Sequence, residues 1–244
     1  QLTEAGLMLY EHAQDMANAL KSAEAGLENF SQEVKGEVKI TAPIDSSGIL
    51  LPALFDKFQQ RYPLTSLKII STNEVIDLVK EGIDVAFRTS VPQDSTLIAK
   101  EIFSYKLYAV STPDVLNHNP TVMEPKELVS IPCIVHESLR SWTMVNQKTG
   151  QRSCITPKPT ILTNNVATIF EMAVKGCGVA VLPDYRVTPL LQSGELVNVL
   201  PGWVSDPVPY YFAYSNRVPA SKAVRAFIEF GRGFFDANEE HLTN

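Results

Sequence analysis

The feature that most constrains this chain is a change of hydrophobic period at Gly36. Before it, apolar or small residues stand at Leu2, Gly6, Leu9, Ala13, Met16, Leu20, Ala23, Leu27, Phe30 and Val34, in steps that alternate between four and three. That is the a/d repeat of a helix whose seam packs on a partner helix, with polar residues over much of the remaining surface. Thr3 and Glu4 supply an N-cap and an acid in the first turn, so one helix over residues 3 to 34 is predicted. At roughly 1.5 Å per residue it is about 48 Å long, more than a small domain can bury. Self-association through Leu9, Met16, Leu20, Leu27 and Phe30 is therefore predicted; the alternative is that the stripe lies on the chain's own core. The chain begins at Gln1 and turns helical almost at once, so an upstream segment is expected to have been cut away.

After Gly36 the pattern alternates strand and helix. VKITA is a strand, and residues 47 to 62 form an amphipathic helix with Leu50, Leu51, Leu54, Phe55 and Phe58 on one side. SLKIIS is the next strand; a short helix over 74 to 81 closes at Gly82 and feeds the strand IDVAFR, and IAKEIFSYKLYAVS gives further strand up to Pro113. From Pro113 to about Tyr211 the same grammar returns. PCIVHE and PTILTN are strands, and a helix over 166 to 175 closes at Gly176 before the strand GVAVLP. LVKEGIDVAFR and MAVKGCGVAVLP thus carry helix, glycine and strand once in each half. A last strand, YYFAYS, leads to a helix over 220 to 235 with Val224, Phe227, Ile228 and Phe234 or Phe235 inward, and polar loops occupy 117 to 126 and 146 to 160. The prediction is an α/β fold of two similar lobes with mostly parallel sheets.

Charge and motifs narrow the function. A net charge of -6 argues against a large phosphate-binding surface, which needs clustered Lys and Arg. No apolar run is long enough to span a bilayer and no secretion signal opens the chain, so a reducing, cytoplasmic setting is expected. Cys133, Cys154 and Cys177 suggest free thiols. Cys177, between two glycines, reads as a small core residue, with a redox sensor as the alternative. The histidines have no metal-ligand spacing, and neither a nucleophile elbow, a P-loop nor a dinucleotide fingerprint is present. Gly176-Cys177-Gly178 follows a helix and precedes a strand, the reverse of the order that binds pyrophosphate. No catalytic residue, cofactor or metal is expected.

Binding is expected in the loops after the C-terminal ends of parallel strands, where open α/β sheets leave crevices. VKITA runs into Pro43-Ile44-Asp45-Ser46-Ser47-Gly48, and PTILT into Asn164-Asn165-Val166, so each loop sets hydroxyls or amides at a helix N-terminus. Arg88 adds a positive charge at the end of IDVAFR. Each also reads as an ordinary cap or surface pair: Asp45, Ser46 and Asn165 as helix caps, Arg88 as a partner for a surface acid.

LTEAGLMLYEHAQDM resembles the linker helix that follows the winged helix-turn-helix in LysR-type regulators, while GEVKITAPIDSSGILLPALFDKFQQRYP, EGIDVAFR, VKGCGVAVLPDY and LLQSGELVNVLPGW resemble the effector-binding domain of that family. The resemblance implies a two-lobed, type 2 periplasmic-binding-protein-like fold: a linker helix over 1 to 35, one lobe over 36 to 112 with 214 to 237, and another over 113 to 213. It implies hinge strands near 107 to 112 and 211 to 215, and a small, often anionic co-inducer held between the lobes. Its ligand positions fall on Ser46, Ser47, Arg88, Thr89, Ser111, Thr163 and Asn165, with Val110 beside the hinge. It further implies a homodimer or tetramer that acts on promoter DNA through an N-terminal domain beyond this chain. A transporter's solute-binding protein, or an enzyme on the same scaffold, are the alternatives.

Overall fold

The computed structural model describes residues 3–28, 33–90, 97–119, 122–216 and 220–243. In chain order it has α1 (Glu4–Glu28), β1 (Gly36–Ala42), α2 (Ile44–Ile49), α3 (Leu51–Arg61), β2 (Thr65–Ser71), β3 (Val85–Arg88), β4 (Leu97–Tyr105) and β5 (Leu107–Ser111). Next come α4 (Pro113–Asn117), a 3-10 turn (Pro125–Ser130), β6 (Cys133–His136), β7 (Trp142–Asn146), β8 (Arg152–Ile155), β9 (Pro159–Thr163) and α5 (Val166–Val174). The chain closes with β10 (Val179–Pro183), α6 (Asp184–Ser193), β11 (Val197–Asn198), β12 (Trp203–Val204), β13 (Val208–Ser215) and α7 (Lys222–Thr243).

Thr3 caps α1 as its sequence position suggests, its hydroxyl accepting from the Gly6 N–H at 3.1 Å. The helix predicted to reach 34 is described only to Glu28; residues 29 to 32, Phe30 among them, lie outside the described residues, and Val34 is irregular. The helix predicted over 47 to 62 starts earlier and is broken in two at Leu50. Pro52 explains the break: its ring and missing N–H are tolerated only in the first turn of a helix, so a new helix begins there. The helix expected over 74 to 81 is a set of turns instead. Asp77 Oδ1 accepts from the Val79 and Lys80 N–H groups at 3.0 Å each, an Asx-type arrangement that competes with a helical ladder, and Gly82 ends it at φ 61°.

The chain divides into two compact units, Gln1–Phe103 with Tyr210–Ala237 and Ser104–Pro209 with Asn238–Asn244. The first two crossings fall inside strands, β4 and β13, and the third inside α7. The boundary expected after 112 therefore moves upstream, because β5 pairs with β10 and β11 and so belongs wholly to the second unit. The one expected after 213 moves likewise, since Tyr211, Phe212 and Ala213 pair with β3 of the first.

The first unit has one sheet in the order β2-β1-β3-β13-β4. β1 is parallel to β2 and β3, and β13 is antiparallel to β3. Leu51, Leu54, Phe55 and Phe58 of α3 are buried, and Phe58 meets Phe227 of α7 edge-on at 5.1 Å. On α7, a Cβ at Gly231 would stand 2.6 Å from the Phe212 ring, so only glycine lets the helix lie this close to β13. The second unit's sheet runs β11-β5-β10-β6-β9, with β10, β6 and β9 parallel and β5 antiparallel to β10 and β11. A small antiparallel sheet, β12-β7-β8, buries Trp142, Met144 and Trp203; β8 lies within residues read from sequence as loop. The two larger sheets of the α/β fold are thus mixed, each built on a parallel trio.

Candidate functional site

Strand parity assembles the strongest group of side chains. Thr41 on β1 stands opposite Ile70 on β2 and Ala86 on β3, and Arg88 lies two residues beyond Ala86, so Thr41 and Arg88 project from the same face. The Arg88 side chain folds back along that face. Its Nη2 donates to Thr41 Oγ1 at 2.9 Å and its Nη1 to the Thr72 carbonyl at 2.8 Å. At the same C-terminal edge of the sheet, the Ser47 and Ser71 hydroxyls share a hydrogen bond of 2.8 Å. Arg88 is half-buried, and burial lowers its guanidinium pKa from the ordinary value while Tyr210 acts the other way. No carboxylate among the described residues pairs with it, so the surface-acid reading of Arg88 fails. A partly desolvated cation without a counterion attracts an anion.

The other predicted residues of this loop fare differently. Residues 44 to 49 are helix α2, not an open loop. Ser46 is fully buried and its hydroxyl donates to the Pro43 carbonyl at 3.3 Å, so it faces inward. Ser47 is half-buried at the edge, and Thr89 is exposed just after β3.

In the second unit, Thr163 ends β9 opposite His136, and Asn165 caps α5 by accepting from the Thr168 N–H at 3.0 Å. The cap reading of Asn165 is thus realised. Ser111 does not join them. It lies fully buried at the end of β5, which runs antiparallel to β10, so it sits at the opposite end of the sheet from Thr163. Val110, placed beside the hinge, is likewise a fully buried residue facing Ala180.

At the Thr163 end lie groups that sequence reading passed over. Asp184 is buried, its carboxylate accepting from the Lys106 N–H at 2.8 Å and the Tyr185 N–H at 2.7 Å. Burial pushes its pKa up against those bonds, and burial together with Asp184 pushes the Tyr108 phenol up. Thr41, Ser71 and Thr72 were missed in the first unit; the only signal for Thr41 and Thr72 was their shared parity with Arg88 at the strand ends, and Ser71, of opposite parity, offered only its place at the end of β2.

Cys177 is exposed, which corrects its reading as a core residue, whereas Cys133 is buried and its thiol is pushed up to about 12 by burial. Cys177 follows the C-terminal end of α5, remote from the cap at Asn165; a hollow of about 410 Å³ runs between them past Thr168, Glu171 and Lys175. On α1, Leu9, Met16 and Leu20 are 72%, 75% and 62% exposed, while the Leu27 side chain and Phe30 lie outside what is described. Among the described residues no group of three His, Cys, Asp or Glu could hold a metal ion, and no helix is long and apolar enough to cross a membrane.

A family model, the LysR substrate binding domain, matches residues 31–236. The transcriptional regulator PtxR of Pseudomonas aeruginosa is 31% identical over 229 residues, which cover 93% of this chain and 73% of that protein. CrgA of Neisseria meningitidis serogroup C is 25% identical over 233 residues, 94% of this chain and 77% of CrgA. Among solved structures, full-length AphB of Vibrio cholerae, a virulence activator, is similar with a TM-score of 0.78 and 26% identity over 96% of this chain and 80% of AphB. Full-length CrgA has a TM-score of 0.70 at 25% identity, covering all of this chain and 81% of that one.

Proposed function

Because this chain belongs to the LysR substrate-binding-domain family, with PtxR-like regulators as relatives, we propose that it senses a small carboxylate-bearing effector at the Arg88 edge of its first unit. The observation that carries the reading is the half-buried guanidinium held by Thr41 and Thr72 with no protein carboxylate among the described residues. A ligand carboxylate supplies the missing charge. The protein is a transcriptional regulator rather than an enzyme in this reading, and it works in the cytoplasm. Promoter DNA is contacted by a part of the regulator outside these 244 residues, consistent with a net charge of -6 here.

The exposed apolar residues of α1 pair with a second copy, since such a stripe is unfavourable in water. Leu20→Glu then lowers the mass measured by light scattering, and an unchanged mass rejects the pairing.

Calorimetry with a panel of small carboxylates tests the ligand site. For any carboxylate that binds, Arg88→Ala removes a charge-assisted contact worth about 1.5 to 3 kcal/mol and weakens affinity about ten- to a hundredfold. Full affinity in Arg88→Ala places the site elsewhere.

A further inference from the structure

Thr41 is an odd choice for its position. β1 is the central strand of the parallel trio, and Ile40, Thr41 and Ala42 are all fully buried. Valine has the same shape, favours strands and brings no polar atom to satisfy. A threonine here must therefore place its hydroxyl, and it does so completely. The hydroxyl donates to the Ile70 carbonyl on β2 at 3.0 Å, which uses its one hydrogen and turns its lone pairs toward the Arg88 Nη2 at 2.9 Å. Ile70 is the register partner of Thr41, so the hydroxyl's direction is set by the sheet itself. The Thr72 carbonyl holds the other terminal nitrogen at 2.8 Å.

Two fixed acceptors, one on β1 and one just past the end of β2, thus define the plane of the guanidinium, while its remaining N–H donors have no acceptor among the described residues. A planar, forked donor held in one plane suits a planar, two-oxygen anion. We propose that Thr41 is a positioning residue: its buried hydroxyl orients the Arg88 guanidinium so that the free N–H edge receives a ligand carboxylate. The inference rests on the reading of Arg88 as the effector's anchor, but Thr41 itself never touches the ligand.

The test uses the 15N-labelled full chain and acetate as the probe. Arg88 side-chain signals are identified by their loss in Arg88→Ala. In the wild type, restrained rotation keeps the two Nη groups distinct; in Thr41→Val they average together, and in Thr41→Ser they stay distinct because the hydroxyl is restored. Acetate, followed by the shift of the Arg88 Nε–H signal, binds about tenfold more weakly to Thr41→Val than to the wild type or Thr41→Ser. Backbone spectra and melting curves check that the variants are folded. Distinct Nη signals and unchanged acetate affinity in folded Thr41→Val overturn the positioning role. If the signals average in Thr41→Val and acetate shifts Arg88 in no variant, the orienting role stands while the anion reading of Arg88 fails.

Discussion

β3 and β10 occupy the same place in their sheets, each beside the central strand of a parallel trio and each followed outward by an antiparallel strand. Their registers match as well, Val85 against Ile40 in the first unit and Val179 against Cys133 in the second. One residue earlier the two units part. In the first, the Lys39 N–H is bonded by Asp84 Oδ2 at 2.8 Å. In the second the corresponding residue is Pro132, which has no N–H, and opposite it stands Gly178, where a Cβ would lie 2.5 Å from the Pro132 carbonyl oxygen. A donor with its carboxylate has been exchanged for a proline with a glycine. Three residues after Val85 and Val179, the first unit presents Arg88 at its edge and the second buries Leu182 completely. The same strand frame therefore holds a half-buried charge in one unit and a closely packed side chain in the other.

The glycines give the sharpest way to break this comparison. Gly178→Ala forces a methyl into a backbone carbonyl at φ 150°, and is expected to cost about 3 kcal/mol or more in urea unfolding. Gly82→Ala, in open space at φ 61°, meets only the left-handed strain of about 1 kcal/mol. Asp84→Ala removes the acceptor for the Lys39 N–H and falls at about 1 to 2 kcal/mol. Equal losses for Gly178→Ala and Gly82→Ala would show that the approach to Pro132 is not what requires glycine in the second unit.

A smaller effect separates the buried charges. Asp184 has a folded pKa above that of an ordinary carboxylate, so folding favours its protonated form. Its contribution to stability is full below the unfolded value near 4 and is lost as pH rises through the higher folded value. Wild-type stability should therefore gain from Asp184 as pH falls through that window, and Asp184→Asn should flatten this part of the profile. A profile of unchanged slope in the variant means that the carboxylate does not titrate there. Arg88, by contrast, keeps its charge throughout, because burial lowers a pKa that starts far above this range.

Much of the frame was legible because it depends on neighbours in sequence. The strands at VKITA, SLKIIS and GVAVLP and the helix after Asn165 follow from local period and caps, and Arg88 stood out as a charge at a strand end. The turn over 74 to 81 was read as helix because its apolar spacing imitates one; Asp77 then took the backbone donors a helix needs. The resemblance grouped Ser111 with Thr163, and the sequence could not correct it, because a residue's place at the end of a strand says nothing about which way that strand runs in the sheet.

By itself, then, the sequence determined where period and punctuation change: the apolar stripe before Gly36, the two rounds of strand and helix, and the charge at Arg88. These are set by interactions a few residues long. Only the tertiary structure decided that Thr41, Ile70, Thr72 and Arg88 meet, that Ser111 and Thr163 do not, and that Asp184 is buried. Those outcomes depend on strand order, direction and register, which arise from burial summed over whole sheets, so no short stretch of the chain contains them.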